Sequence, residues 1–241
     1  MSRTLEMKKT TQTTHVSEPT PEPEDSSWSR ARRPEQKRER RNAILSAAVM
    51  LLDDKGVEST SLSGIARASG VSKANIYRYF ESREAILLAL TLDEAEAWLG
   101  EVTTRLAPLA GSGDIRAVAE VFATTMSTRP RGCALLSSLS SVLERNVGVE
   151  LIAAFKRQFS TLLETPTQAV HMALPDLSLD DAGVFMTFFY VFVAGIWPVS
   201  DPPPAVAEVL ARPEFSDMSV DFEGVVRTHA HTVLRGLCRS D

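Results

Sequence analysis

The stretch Lys73-Ala74-Asn75-Ile76-Tyr77-Arg78-Tyr79 gathers five hydrogen-bonding side chains within seven residues. Lysine and arginine clamp phosphates or read base edges, asparagine reads adenine, and a phenol hydroxyl donates to a phosphate oxygen. Ser72, immediately ahead, is a natural N-cap, so a short helix is expected to follow it. A core-facing helix would not carry this set, whereas a helix lying in a DNA major groove would. No other chemistry finds comparable material. His229 and His231 stand two apart, a spacing that points them away from each other on a helix. The pairs Asp53-Asp54 and Asp180-Asp181 read as solvated helix-end residues. The sequence has no phosphate-cradling glycine loop, nucleophile elbow or zinc spacing, so no catalytic residue, metal ligand or cofactor is expected.

A helix that reads DNA needs a mount, and the surrounding run Thr60 to Leu87, TSLSGIARASGVSKANIYRYFESREAIL, supplies one. Two short helices that cross need a small residue where they touch and a glycine where the chain turns. Ala66 and Gly70 fill those places, and Ile65, Val71 and Ile76 are spaced to lock the pair onto flanking helices. Upstream, Ile44, Ala47, Ala48, Leu51 and Leu52 form one helical stripe that Gly56 should stop. Downstream, Ser82 should cap a long helix through Ile86, Leu87 and Leu90 towards Leu106.

The ordered series Thr60-Ser61, Ile65-Ala66, Gly70-Val71-Ser72, Tyr77-Arg78-Tyr79-Phe80 and Arg83-Glu84-Ala85-Ile86-Leu87 resembles the DNA-binding domain of the TetR family. Cys133 through Glu150 also resembles one branch of that family's C-terminal domains. The resemblance implies that Ser61 and Ser63 approach phosphate or a base edge. It implies that Lys73, Asn75 and Arg78 read sequence, that Tyr77 and Tyr79 donate to phosphates, and that Arg83 meets a phosphate. Ser72 and Ala74 belong to the same DNA-binding set, although many members have glycine or proline where this chain has Ala74. A fold kept only for binding a protein partner would show a degraded reading helix, and here Lys73, Tyr77 and Arg78 are present.

Charge is distributed to suit a protein that meets DNA at one end. Residues 30–83 hold twelve basic and six acidic side chains, while from Leu99 onward eleven basic face sixteen acidic. Residues 1–29 are polar and are expected to be a disordered tail, ending in the basic arm RARRPEQKRERR. Cys133 and Cys238 match no redox or metal spacing, and no secretory leader is read in MSRTLEMKK, so a cytoplasmic protein is expected. The apolar run Val184–Val199 falls short of the ~20 residues that span a bilayer and reads as a buried helix.

Apolar stripes recur at helical spacing to the C-terminus, with Pro166 expected to kink or end its helix. The expectation is therefore an all-α chain: a tail to residue 35, a helix-turn-helix domain over 36–82, and a helical sensing and dimerisation domain over 83–241. The family resemblance implies a homodimer on palindromic operator DNA, a repressor released by a small apolar effector, and no membrane. It implies an effector cavity, and the aromatic and thioether side chains Phe122, Met126, Phe155 and Phe159 are its expected lining. It also implies pairing between copies through the helix Asp180–Ile196 and the last helix, with Phe189 and Val226 expected at that contact.

Overall fold

The structure, a computed structural model, describes residues 25–238, with side chains described from residue 35. Ten α-helices and no strand occur among the described residues. The chain divides after Glu39 into two compact units. In the first, residues 25–39 are helical, and Arg38 pairs with Glu35 at 3.5 Å. The helix α1 (Asp25–Ser59) thus begins inside the segment expected to be a tail, since Glu35, Lys37, Arg38 and Glu39 are strong helix formers. The expected tail over residues 1–24 lies outside the described residues.

Local signals set the next elements. Gly56 adopts φ 74°, a left-handed conformation that breaks the regular turn of α1. α2 (Leu62–Ser69) is capped by Ser61, whose Oγ accepts from the Gly64 amide at 3.1 Å, and ends on left-handed Gly70. α3 (Lys73–Ile76) is capped by Ser72 and is shorter than expected, continuing as turns through Tyr79. Ser82 then caps α4 (Arg83–Leu106) through a bond from the Ala85 amide at 3.0 Å.

The body follows as α5 (Ile115–Ser127), α6 (Pro130–Ser138), α7 (Val149–Ala173), α8 (Leu179–Ser200), α9 (Pro204–Leu210) and α10 (Phe222–Leu237). The stripe expected to continue α6 to Leu143 widens into a π-type turn over Leu139–Leu143. Pro166 does not end α7, which runs on to Ala173. Val170 and Ala173 beyond it are fully buried, so packing holds those turns despite the missing amide.

Two apolar cores result, and α4 serves both. Its first half, including Ile86, Leu87 and Leu90, packs with Ile44, Ile65 and Ile76, and with Leu135, Leu139 and Phe155 of the body. Its second half, with Trp98, Val102 and Leu106, joins Phe122, Phe185, Phe189 and Val226. The expected division at residue 82 therefore crosses a continuous core. α8 packs on α6, α7 and α10, and α10 also packs on α5. α8 is 22 residues long, extends past the expected end at Ile196, and is long and apolar enough to cross a membrane by length and composition. One face, Phe185, Phe189 and Val193, is buried, while Val184, Phe188 and Val191 are exposed. Phe189 and Val226, expected at a contact between copies, are core residues at 1% and 0% exposure.

Candidate nucleic-acid interface

α3 is held from beneath and open above. Ile76 is fully buried against Ile65, and Phe80, just after the turn, is buried with the Arg41 guanidinium 5.3 Å from its ring centroid. The amides of Tyr79 and Phe80 both donate to the Ile76 carbonyl, at 2.8 and 3.0 Å. These bonds fix the turn, so the side chains between them project from a rigid base. Lys73, Ala74, Tyr77 and Arg78 are exposed, and Tyr77 keeps 58% of its surface. Asn75 and Tyr79 are half-buried, with Tyr79 packed at the edge of the core.

The expected serines sit at the same surface. Ser61, Ser63 and Ser72 are exposed. The Oγ of Ser72 accepts from the Asn75 amide at 3.3 Å, as Ser61 does from Gly64. Each capping hydroxyl retains its own hydrogen and can donate it outward. Arg67 on α2 is exposed as well, a basic residue outside the expected set.

Arg83 is placed differently from the rest. Its Nη2 donates to the Val57 carbonyl at 2.9 Å, its Nη1 lies 3.8 Å from Glu84, and its Nε is buried with no partner. With 21% of its side chain exposed, Arg83 is turned into the fold, tying the start of α4 to the end of α1. Nothing in the local sequence marks this, because Val57 lies 26 positions away.

A second feature lies in the body, where a cavity of about 180 Å³ opens among α4, α5, α6, α7 and α8. Met126 and Phe159 line it as expected, but Phe122 and Phe155 do not. Phe122 is enclosed by Trp98, Phe185 and Phe189, with ring centroids 4.9–6.0 Å away. Phe155 lines a separate groove with Arg41, Tyr79 and Asp93. Burial pushes the Asp93 carboxyl above its ordinary value, with Arg41 opposing.

The polar end of the cavity holds Glu94 and Arg129, which the sequence did not single out. They belong to a chain of ion pairs. Arg129 Nη2 donates to Glu101 at 2.8 Å, and Arg131 Nε donates to Glu94 at 2.6 Å. The same Arg131 grips both carboxylate oxygens of Asp53 on α1, at 2.8 and 3.0 Å. Donation by Arg129 holds the Glu101 carboxyl below its ordinary range. Burial works against the charge on Arg131, but its bonds to Glu94 and Asp53 outweigh that and raise its pKa.

Known proteins share this arrangement. Residues 44–90 match the family described as bacterial regulatory proteins, tetR family, and residues 92–240 match the tetracyclin repressor-like C-terminal domain. A helix-turn-helix-type transcriptional regulator of Mycobacterium tuberculosis is 38% identical over 80 residues, covering 33% of this chain and 38% of that protein. The helix-turn-helix-type transcriptional regulator RutR of Escherichia coli is 40% identical over 60 residues, 25% of this chain and 28% of that protein. These matches span less than half of either relative. In fold, the chain resembles a TetR-family regulator from Rhodococcus sp., with TM-score 0.51 and 17% identity over 83% of this chain and 99% of that one. It also resembles the fatty acid degradation regulator FadR from Bacillus halodurans, with TM-score 0.50 and 15% identity over 81% and 98%.

The placement of Arg83 has a measurable consequence. Arg83→Met removes the charged donor to Val57 and is expected to lower stability by ~1.5–3 kcal/mol in urea unfolding. Unchanged stability would show that the guanidinium is not anchored there.

Proposed function

The chain belongs to the TetR family of bacterial regulatory proteins, and on that footing we propose that it is a sequence-specific, operator-binding transcription repressor that acts as a homodimer. The observation that carries this reading is α3 itself. Its apolar residue, Ile76, is buried, while Lys73, Tyr77 and Arg78 are presented on a fixed base. In this reading Lys73 and Tyr77 bind phosphates, and Asn75 and Arg78 read base edges. The exposed Ser61, Ser63 and Ser72 add hydroxyl contacts, and Ala74 permits close approach of the helix backbone. Tyr79 donates from the edge of the core, and Arg83 orients the reader from within. The protein works in the cytoplasm, where its DNA is, and it needs no catalytic group.

The homodimer forms through the exposed apolar face of α8, bearing Val184, Phe188 and Val191, beside α10. An isologous contact there buries this surface and sets the spacing between the two reading helices. The cavity is the effector site, and its occupancy releases DNA. Support comes from the ion-pair chain: Glu94 on the cavity wall is joined through Arg131 to Asp53, three residues before the Gly56 break that leads into the reader. An effector that favours a different placement of Glu94 must lower operator affinity by the factor by which operator lowers effector affinity.

The phosphate and base roles separate by salt. Lys73→Ala is expected to reduce the slope of log affinity against log salt by about one unit, weakening all sequences alike. Asn75→Ala and Arg78→Ala are expected to relax preference at single base pairs by ~1–3 kcal/mol. Binding titrations at several salt concentrations, on an operator selected from random duplexes, check this; a Lys73→Ala slope equal to wild type removes the phosphate role.

Phe188→Glu places a charge on the exposed face without entering the core. It is expected to convert dimers to folded monomers, seen by analytical ultracentrifugation at micromolar concentration. A wild type that sediments as a monomer would rule out this assembly.

A further inference from the structure

The cavity's own donors and charges say which class of molecule fits it, an inference that rests on reading it as the effector site. Trp98, Met126, Phe159 and Met186 make its wall apolar over most of its extent. The polar groups on that wall are largely committed. The Thr91 hydroxyl donates to the Leu87 carbonyl at 2.9 Å, and the Trp98 indole donates to Thr125 at 3.0 Å. Arg129 is committed only at its tip, where Nη2 meets Glu101 and Nη1 stands 4.0 Å from Glu94. Its Nε is buried with no partner. A buried donor without an acceptor is costly to keep, so an acceptor supplied there gains more than one supplied to water.

Charge narrows the class further. The ion-pair chain at this end holds Asp53, Glu94 and Glu101 against Arg105, Arg129 and Arg131, equal numbers of each sign. A ligand carboxylate or ammonium would add an unbalanced charge beside an apolar wall, where charge is expensive. Size sets the last limit. A cavity of about 150 Å³ holds benzene, so about 180 Å³ takes one small substituted ring. We propose that the cavity binds an uncharged, largely apolar molecule about the size of one substituted aromatic ring, whose single carbonyl or ether oxygen accepts from Arg129 Nε.

Acetophenone, ethylbenzene and benzoate share a ring and differ in acceptor and charge, so they test this directly. Titrations of the full-length protein followed by tryptophan fluorescence are suitable, because Trp98 forms part of the wall. Acetophenone is expected to bind tightest, ethylbenzene about tenfold weaker for want of the acceptor, and benzoate weaker than either. In Arg129→Lys, which keeps the charge but removes Nε, the preference for acetophenone over ethylbenzene is expected to fall below about twofold, with ethylbenzene affinity unchanged. Should that variant fail to fold, the wild-type ranking decides alone. The proposal is overturned if benzoate binds as tightly as acetophenone, if Arg129→Lys leaves the preference intact, or if none of the three binds at about 1 mM. Operator affinity measured in the same samples separates the two claims. The expected ranking without loss of operator affinity supports the ligand class and overturns release. A failed ranking with operator binding intact overturns the ligand class alone.

Discussion

One helix must be buried against two different partners, and the rest of the structure follows from how α4 meets that demand. Ile86 and Leu87 are fully buried beneath the reading helices, and Val102 and Leu106 are as deeply buried in the body. The reading pair α2 and α3 is twelve helical residues in all, too little to hold itself together. Its stability is borrowed from α1, from α4 and from the body residues Leu135, Leu139 and Phe155 that close the same core. A strain in the body therefore reaches the reader through packed side chains rather than across a linker.

Electrostatics reinforce that tie at its side. Arg131 spans from Glu94 on α4 to Asp53 on α1, so the cavity's polar end and the approach to the reader share one guanidinium. Arg83 adds a second tie, from the first turn of α4 to the Val57 carbonyl at the end of α1. Both arginines are partly sheltered, at 30% and 21% exposure, where such bonds are weakened less by solvent than on an open surface. Together they fix how α1 and α4 sit on each other, the relation that orients α2 and α3 in the proposed function.

Much of the reader was legible in the sequence because its signals are local. Ser61, Ser72 and Ser82 cap helices within three residues of themselves, and Gly70 turns the chain at its own φ. What was not legible depends on distant partners. Arg83 looked like a surface base because its acceptor is 26 residues back, and Arg131 meets Asp53 across 78 residues. The cavity shows the same division. Helical period marks Phe122, Met126, Phe155 and Phe159 as inward-facing, but only the packing of Trp98, Phe185 and Phe189 around Phe122 decides that it meets no empty space. Likewise α8 read as apolar all round, and only its docking on α6, α7 and α10 sorted core Phe189 from exposed Phe188.

The central claim, that reader and body form one cooperative unit through α4, can be measured without any ligand. Native-state amide hydrogen exchange reports the opening free energy of each helix separately. Phe122→Ala deletes a side chain that touches only the body core and is expected to cost ~3–5 kcal/mol. If α4 joins the two cores, protection at Ile65 and Ile86 falls by the same amount as protection at Val118 and Phe185. Protection that falls in the body but is unchanged at Ile65 and Ile86 would contradict the account.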